Sequence, residues 1–138
     1  MQNGTGVRKG KILVVDDQQG WQELLEDILT QKGYKVKKAD NLKNARDLLK
    51  TEKFDIAVLD MRLVDASSYN IDGMRVLKEA KKLQPTIKAI ILTGYSDKEQ
   101  KDRARDFYGA DGYYEKAPDG NPFDIDKFIQ IISDLPKS

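Results

Sequence analysis

Four polar positions, each at the end of an apolar run, are the residues of this chain best suited to chemistry. Asp16-Asp17 closes Lys11-Ile12-Leu13-Val14-Val15, and Asp60 closes Phe54-Asp55-Ile56-Ala57-Val58-Leu59. Thr93 closes Ile87-Lys88-Ala89-Ile90-Ile91-Leu92, and Lys116 follows Tyr113-Tyr114-Glu115. A carboxylate leaving an apolar interior is costly unless it is paired or coordinated. Three carboxylates gathered at one point repel by roughly 4 kcal/mol per pair at ~4 Å and an effective dielectric near 20. A raised pKa or a bound cation relieves that repulsion. The chain has no His and no Cys, which removes the usual general base, the usual zinc ligands and thiolate chemistry. Hard carboxylate oxygens favour Mg²⁺ or Mn²⁺. With the ammonium of Lys116 and the hydroxyl of Thr93, these are the parts needed to accept a phosphoryl group on Asp60 as an acyl phosphate. Taken singly, Asp16 or Asp17 reads as a helix cap, Asp60 as a loop cap, Thr93 as a strand-end hydroxyl and Lys116 as a solvated charge. Their joint placement argues for a site.

The elements that must position them follow from periodicity. The short runs rich in Ile, Val and Leu fit strands buried on both faces. Trp21, Leu24, Leu25, Ile28 and Leu29 lie on one helical face, and Gly33 stands where that helix stops. Tyr34 to Lys38, studded with Lys35, Lys37 and Lys38, reads as a protected edge strand. A second helix spans about Asn41 to Glu52, with Asp40 or Asn41 as cap and Leu42, Ala45, Leu48 and Leu49 inward. A third begins near Gly73, carries Met74, Val76, Leu77, Ala80 and Leu83, and ends at Pro85. Ser96-Asp97-Lys98-Glu99 is a capping box opening a weakly apolar fourth helix. Asn121-Pro122 is expected to start the last, with Ile125, Phe128, Ile129 and Ile132 inward. Five strands alternating with five helices imply a parallel sheet covered on both faces. The expected fold is a flavodoxin-like (βα)5 three-layer sandwich with strand order 2-1-3-4-5. Ligands then bind at the carboxyl ends, between strands one and three.

Composition narrows the function classes. The chain has 138 residues, 39% of them hydrophobic and 34% charged, with a formal net charge of +1. One domain is expected. Interspersed charges give no field for direct nucleic-acid binding. No run approaches the ~18 apolar residues of a membrane span, and residues 1–10, a flexible leader, contain no signal peptide. A cytoplasmic protein is the simplest reading.

Over about residues 11–135 the sequence resembles the receiver domain of two-component response regulators, the CheY-like superfamily. The resemblance rests on Ile12-Leu13-Val14-Val15-Asp16-Asp17, Leu59-Asp60-Met61, Asp72-Gly73-Met74, Ile91-Leu92-Thr93-Gly94, and Gly109-Ala110-Asp111-Gly112-Tyr113 with Lys116. It implies that Asp60 is the phosphoacceptor. Asp16, Asp17, Asp60 and the backbone carbonyl of Arg62 would hold Mg²⁺. Thr93 would be the switch hydroxyl, Lys116 the family's cation and Tyr113 the aromatic switch. The signal would appear on the face made by the fourth helix, fifth strand and fifth helix. The implied donor is a histidine kinase or phosphotransfer protein, and the recipient a downstream protein that the sequence does not name. The protein would catalyse only its own phosphorylation and dephosphorylation, as a monomer or as a phosphorylation-dependent homodimer. The domain is expected over 11–136, with no output domain after it.

Three departures stand out. Val64 replaces the family's proline four residues after the phosphoacceptor, and the loop 64–72 is about five residues longer than usual. Ala117 separates Lys116 from Pro118. Bulky Arg62 and Tyr95 occupy the two variable positions that tune dephosphorylation, which predicts a shielded, slowly hydrolysing acyl phosphate. The alternative reading is a pseudo-receiver, a constitutive protein-binding module with this fold.

Overall fold

The computed structural model describes residues 10–60, 72–93, 109–115 and 123–135. In chain order it contains β1 (Lys11–Val15), α1 (Gln19–Gln31), β2 (Lys35–Ala39), α2 (Leu42–Thr51) and β3 (Ile56–Asp60). These are followed by α3 (Asp72–Leu83), β4 (Lys88–Thr93), β5 (Gly112–Glu115) and the C-terminal helix α4 (Ile125–Asp134). The helix expected to open at Ser96 lies outside the described residues. All strand pairs are parallel, and the order is β2-β1-β3-β4-β5, as the alternation of elements predicts.

Side-chain alternation along the strands sorts the core into two layers. Leu13, Val15, Ala57, Leu59, Ala89 and Ile91 meet Ala45 and Leu49 of α2 and Val76, Leu77 and Ala80 of α3. Ile12, Val14, Ile56, Val58, Ile90 and Leu92 meet Leu25 and Leu29 of α1 and Phe128 and Ile132 of α4. All five residues of β3 are buried, which is why residues 56–59 are a continuous apolar run, with Asp60 the buried carboxylate that ends it. Edge strand β2 instead exposes its lysines.

The helix ends follow local chemistry. Asn41 caps α2, its side chain accepting from Asn44 N at 2.8 Å. Gly33 has φ +98°, the left-handed residue that ends α1. Three sequence expectations need correction. Leu24 is 37% exposed, because the buried stripe of α1 is the narrower set Leu25, Ile28 and Leu29. The last helix does not start at Asn121-Pro122. It starts at Ile125, with Asp124 as cap accepting from Lys127 N at 3.0 Å. Phe123, just before the cap, packs against Phe128 with ring centroids 5.4 Å apart, the arrangement of a hydrophobic staple. Phe123 thus takes the inward place expected for Ile125, which is 42% exposed.

Candidate functional site

Register decides which polar residues meet. Val15 pairs with Leu59, so Asp16 and Asp60 leave the sheet at the same level on adjacent strands. Asp60 pairs with Leu92, and Thr93 with Glu115. Thr93 therefore ends β4 one step beyond Asp60's level, and Lys116 is the next residue after β5. This carboxyl edge, between β1 and β3, is where the connections diverge to opposite faces and where an open sheet leaves a crevice.

Asp16, Asp17 and Asp60 each offer a carboxylate oxygen within 4.8 Å of the others. Asp16 and Asp60 are buried, 1% and 6% exposed, while Asp17 faces solvent. Neither Asp16 nor Asp17 caps α1. The N-cap is Gln18, which makes no side-chain capping bond. Asp16 Oδ1 instead accepts from Gln18 N at 2.9 Å, holding the turn that follows β1. Three hard oxygen donors with this spacing fit Mg²⁺ or Mn²⁺, and one outward-facing member leaves room for the waters that Mg²⁺ retains.

Two glutamines beside the acid pair were not singled out by sequence reasoning. Gln18 N holds Asp16 as described, and half-buried Gln22 donates from Nε2 to the Asp16 carbonyl at 2.5 Å and the Ala39 carbonyl at 3.3 Å. Residue type gave no signal here, since a glutamine in the first turns of a helix is ordinarily a solvated side chain.

Tyr113 lies opposite Ile91 in β5 and packs, half-buried, on the layer of α2 and α3. Tyr114 enters the other layer, where its hydroxyl donates to the Asp124 carbonyl at 3.3 Å. Burial pushes the Tyr114 phenol above its ordinary value, and the nearby Asp124 charge adds to the rise. The strand thus ties an aromatic to each face of the sheet. Arg62, Tyr95, Lys116, the loop 64–71 and Ala117-Pro118 lie outside the described residues.

A family model described as the response regulator receiver domain matches residues 12–133. The chain is 33% identical over 122 residues to sporulation initiation phosphotransferase F of Bacillus subtilis (strain 168), covering 88% of this chain and 90% of that protein. Transcriptional regulators are also similar, but the chain spans only 24% of NtrC from Proteus hauseri and 19% of ZraR from Escherichia coli K12. Among solved structures, a CheY-like receiver domain protein from Methanospirillum hungatei JF-1 superposes with a TM-score of 0.77 at 28% identity, over 93% of this chain and 92% of that one. A response regulator from Burkholderia pseudomallei, solved with a phosphorylated aspartic acid, a calcium ion and citrate, superposes with a TM-score of 0.74 at 28% identity. That match covers 88% of this chain and 65% of the other. No described helix is long and apolar enough to cross a membrane.

Proposed function

The chain belongs to the response regulator receiver domain family of two-component signalling, and on that premise we propose that Asp60 is its phosphoacceptor. The observation that carries this reading is the three-carboxylate cluster at the exits of β1 and β3. A histidine kinase or phosphotransfer protein is the donor. A carboxylate oxygen of Asp60 attacks phosphorus, a P–O bond forms, and the P–N bond of the donor phosphohistidine breaks with its electron pair retained by nitrogen. Asp16, Asp17, Asp60 and the backbone carbonyl of Arg62 would hold Mg²⁺ (or Mn²⁺). When bound, that ion neutralises charge on the carboxylates and the phosphoryl oxygens. The Thr93 hydroxyl and the Lys116 ammonium then take up phosphoryl oxygens, and Tyr113 turns into the space that Thr93 leaves.

The signal reaches an unnamed downstream protein through the face built by residues 96–108, β5 and α4. The chain catalyses only its own phosphorylation and dephosphorylation. The domain spans 11–136 behind a leader of residues 1–10. It acts in the cytoplasm, without direct nucleic-acid contact, as a monomer or a phosphorylation-dependent homodimer.

Incubation with Mg²⁺ and a small phosphodonor such as acetyl phosphate tests the reading. Incorporation of one acid-stable, base-labile phosphoryl group that Asp60→Asn abolishes is expected. No incorporation into the unaltered protein would make the chain a constitutive binding module instead. Arg62 and Tyr95 shield the acyl phosphate, so Arg62→Ala or Tyr95→Ala shortens its half-life several-fold; equal half-lives would refute the shielding.

A further inference from the structure

The acid pair sits on a turn between the end of β1 and the start of α1, and one side chain closes that turn onto the neighbouring strand. Asp16 N donates to the Ala39 carbonyl at 3.1 Å, the last backbone bond between β1 and the end of β2. Beyond it the strands part. Gln22, from the first turns of α1, reaches back into the gap and donates one amide nitrogen to the Asp16 carbonyl at 2.5 Å and the Ala39 carbonyl at 3.3 Å. Gln18 N meanwhile donates to the Asp16 carboxylate at 2.9 Å. The peptide between Asp16 and Asp17 is therefore fixed by the very carbonyl that Gln22 binds. Solvent-facing Asp17 takes its direction from that peptide.

Resting on the proposed divalent-ion site, we propose that Gln22 is a positioning residue for it, acting through the Asp16 carbonyl to aim Asp17 at the ion. Groups that orient ligands without touching the metal typically cost ten- to a hundredfold in affinity when removed. Gln22 belongs near the lower end of that range, because it orients one ligand of the set through the backbone. Its amide is neutral, so it orients the acids without offsetting their charge. It also couples the site mechanically to the end of β2, which carries no carboxylate of the cluster.

Gln22→Met keeps the length and apolar stem of the side chain but removes the donor. Mn²⁺ binding, followed by water-proton relaxation in the metal-free protein, should weaken about tenfold in Gln22→Met. Gln22→Ala should weaken it at least as much. Thermal unfolding without metal separates this from a fold effect. A lowered unfolding temperature with Mn²⁺ affinity within twofold of the unaltered protein would leave Gln22 as a structural bond only and overturn the inference. Asp17→Asn is the control for the site itself. If the unaltered protein binds no Mn²⁺, or Asp17→Asn does not weaken binding, the metal site fails together with the inference. If Asp17→Asn loses binding and Gln22→Met does not, the inference alone fails.

Discussion

The two edges of the sheet handle polar groups in opposite ways. At the amino edge, charges and amides close the chain on itself. Asp55 Oδ2 accepts from Lys11 N at 2.8 Å, and Lys11 pairs with Glu52. Gln84 accepts from Phe54 N at 2.8 Å and donates to the carbonyls of Leu49 at 2.9 Å and Glu52 at 2.8 Å. At the carboxyl edge three like charges crowd together, two of them buried. Among the described residues, the amino edge thus shows side-chain bonds that close the chain on itself, and the carboxyl edge shows like charges under mutual tension. A cation is the partner that such tension admits, and only with that cation in place can an anionic phosphoryl group approach.

Stability measurements can break this contrast. The largest expected effect is at the amino edge. Gln84→Ala leaves three backbone groups without their partner, which should cost about 3 kcal/mol; denaturant unfolding measures it, and Mn²⁺ affinity should stay unchanged. Asp60→Asn should act in the opposite direction. Removing one buried like charge should stabilise the metal-free protein by about 2 kcal/mol, allowing for screening at exposed Asp17. The same substitution should erase most of the rise in unfolding temperature that Mg²⁺ gives the unaltered protein. A destabilised, metal-free Asp60→Asn would mean that the cluster carries no tension.

The third effect is smaller and lies at the amino ends of β4 and β5. Lys81 Nζ binds the Ile87 carbonyl at 2.7 Å and Asp111 Oδ2 at 2.7 Å, and Asp111 Oδ2 also accepts from Ala89 N at 2.8 Å. Asp111→Ala should therefore loosen the entry to β5 and cost about 1.5 kcal/mol. Hydrogen exchange should rise first at Gly112–Glu115. The smallest effect is a pH dependence. The hydrogen bond from Lys11 holds the Glu52 carboxyl below its ordinary value. Its contribution is therefore complete above the unfolded value near 4.5 and is lost as pH falls through the depressed folded value. Both side chains are about a quarter exposed, at 24% and 26%, so the loss is slight. Unfolding curves between pH 5 and pH 3 should show it, and Glu52→Gln should remove that part of the slope.

Much of this architecture was legible because burial writes itself into composition. A strand covered on both faces must be apolar throughout, so β1, β3 and β4 appeared as continuous runs, and the polar residue ending each run marked an edge. Helix starts were less legible where two signals competed. Asn121-Pro122 looked like a start, yet Asp124 caps α4 and Phe123 staples against Phe128. The deciding contacts, Phe123 with Trp21 at 5.2 Å and with Tyr114 at 5.8 Å, come from distant parts of the chain.

By itself the sequence determined the strand order, the family resemblance and the chemical types at the carboxyl edge, because these depend on local periodicity and residue identity. Only the tertiary structure decided that Asp16 is buried while Asp17 faces outward, that neither caps α1, and that Gln22 bridges the parting ends of β1 and β2. Those facts depend on where a helix settles against two strands brought together from residues 11–15 and 35–39. A polar glutamine carries no mark of which carbonyls it will meet until that packing exists.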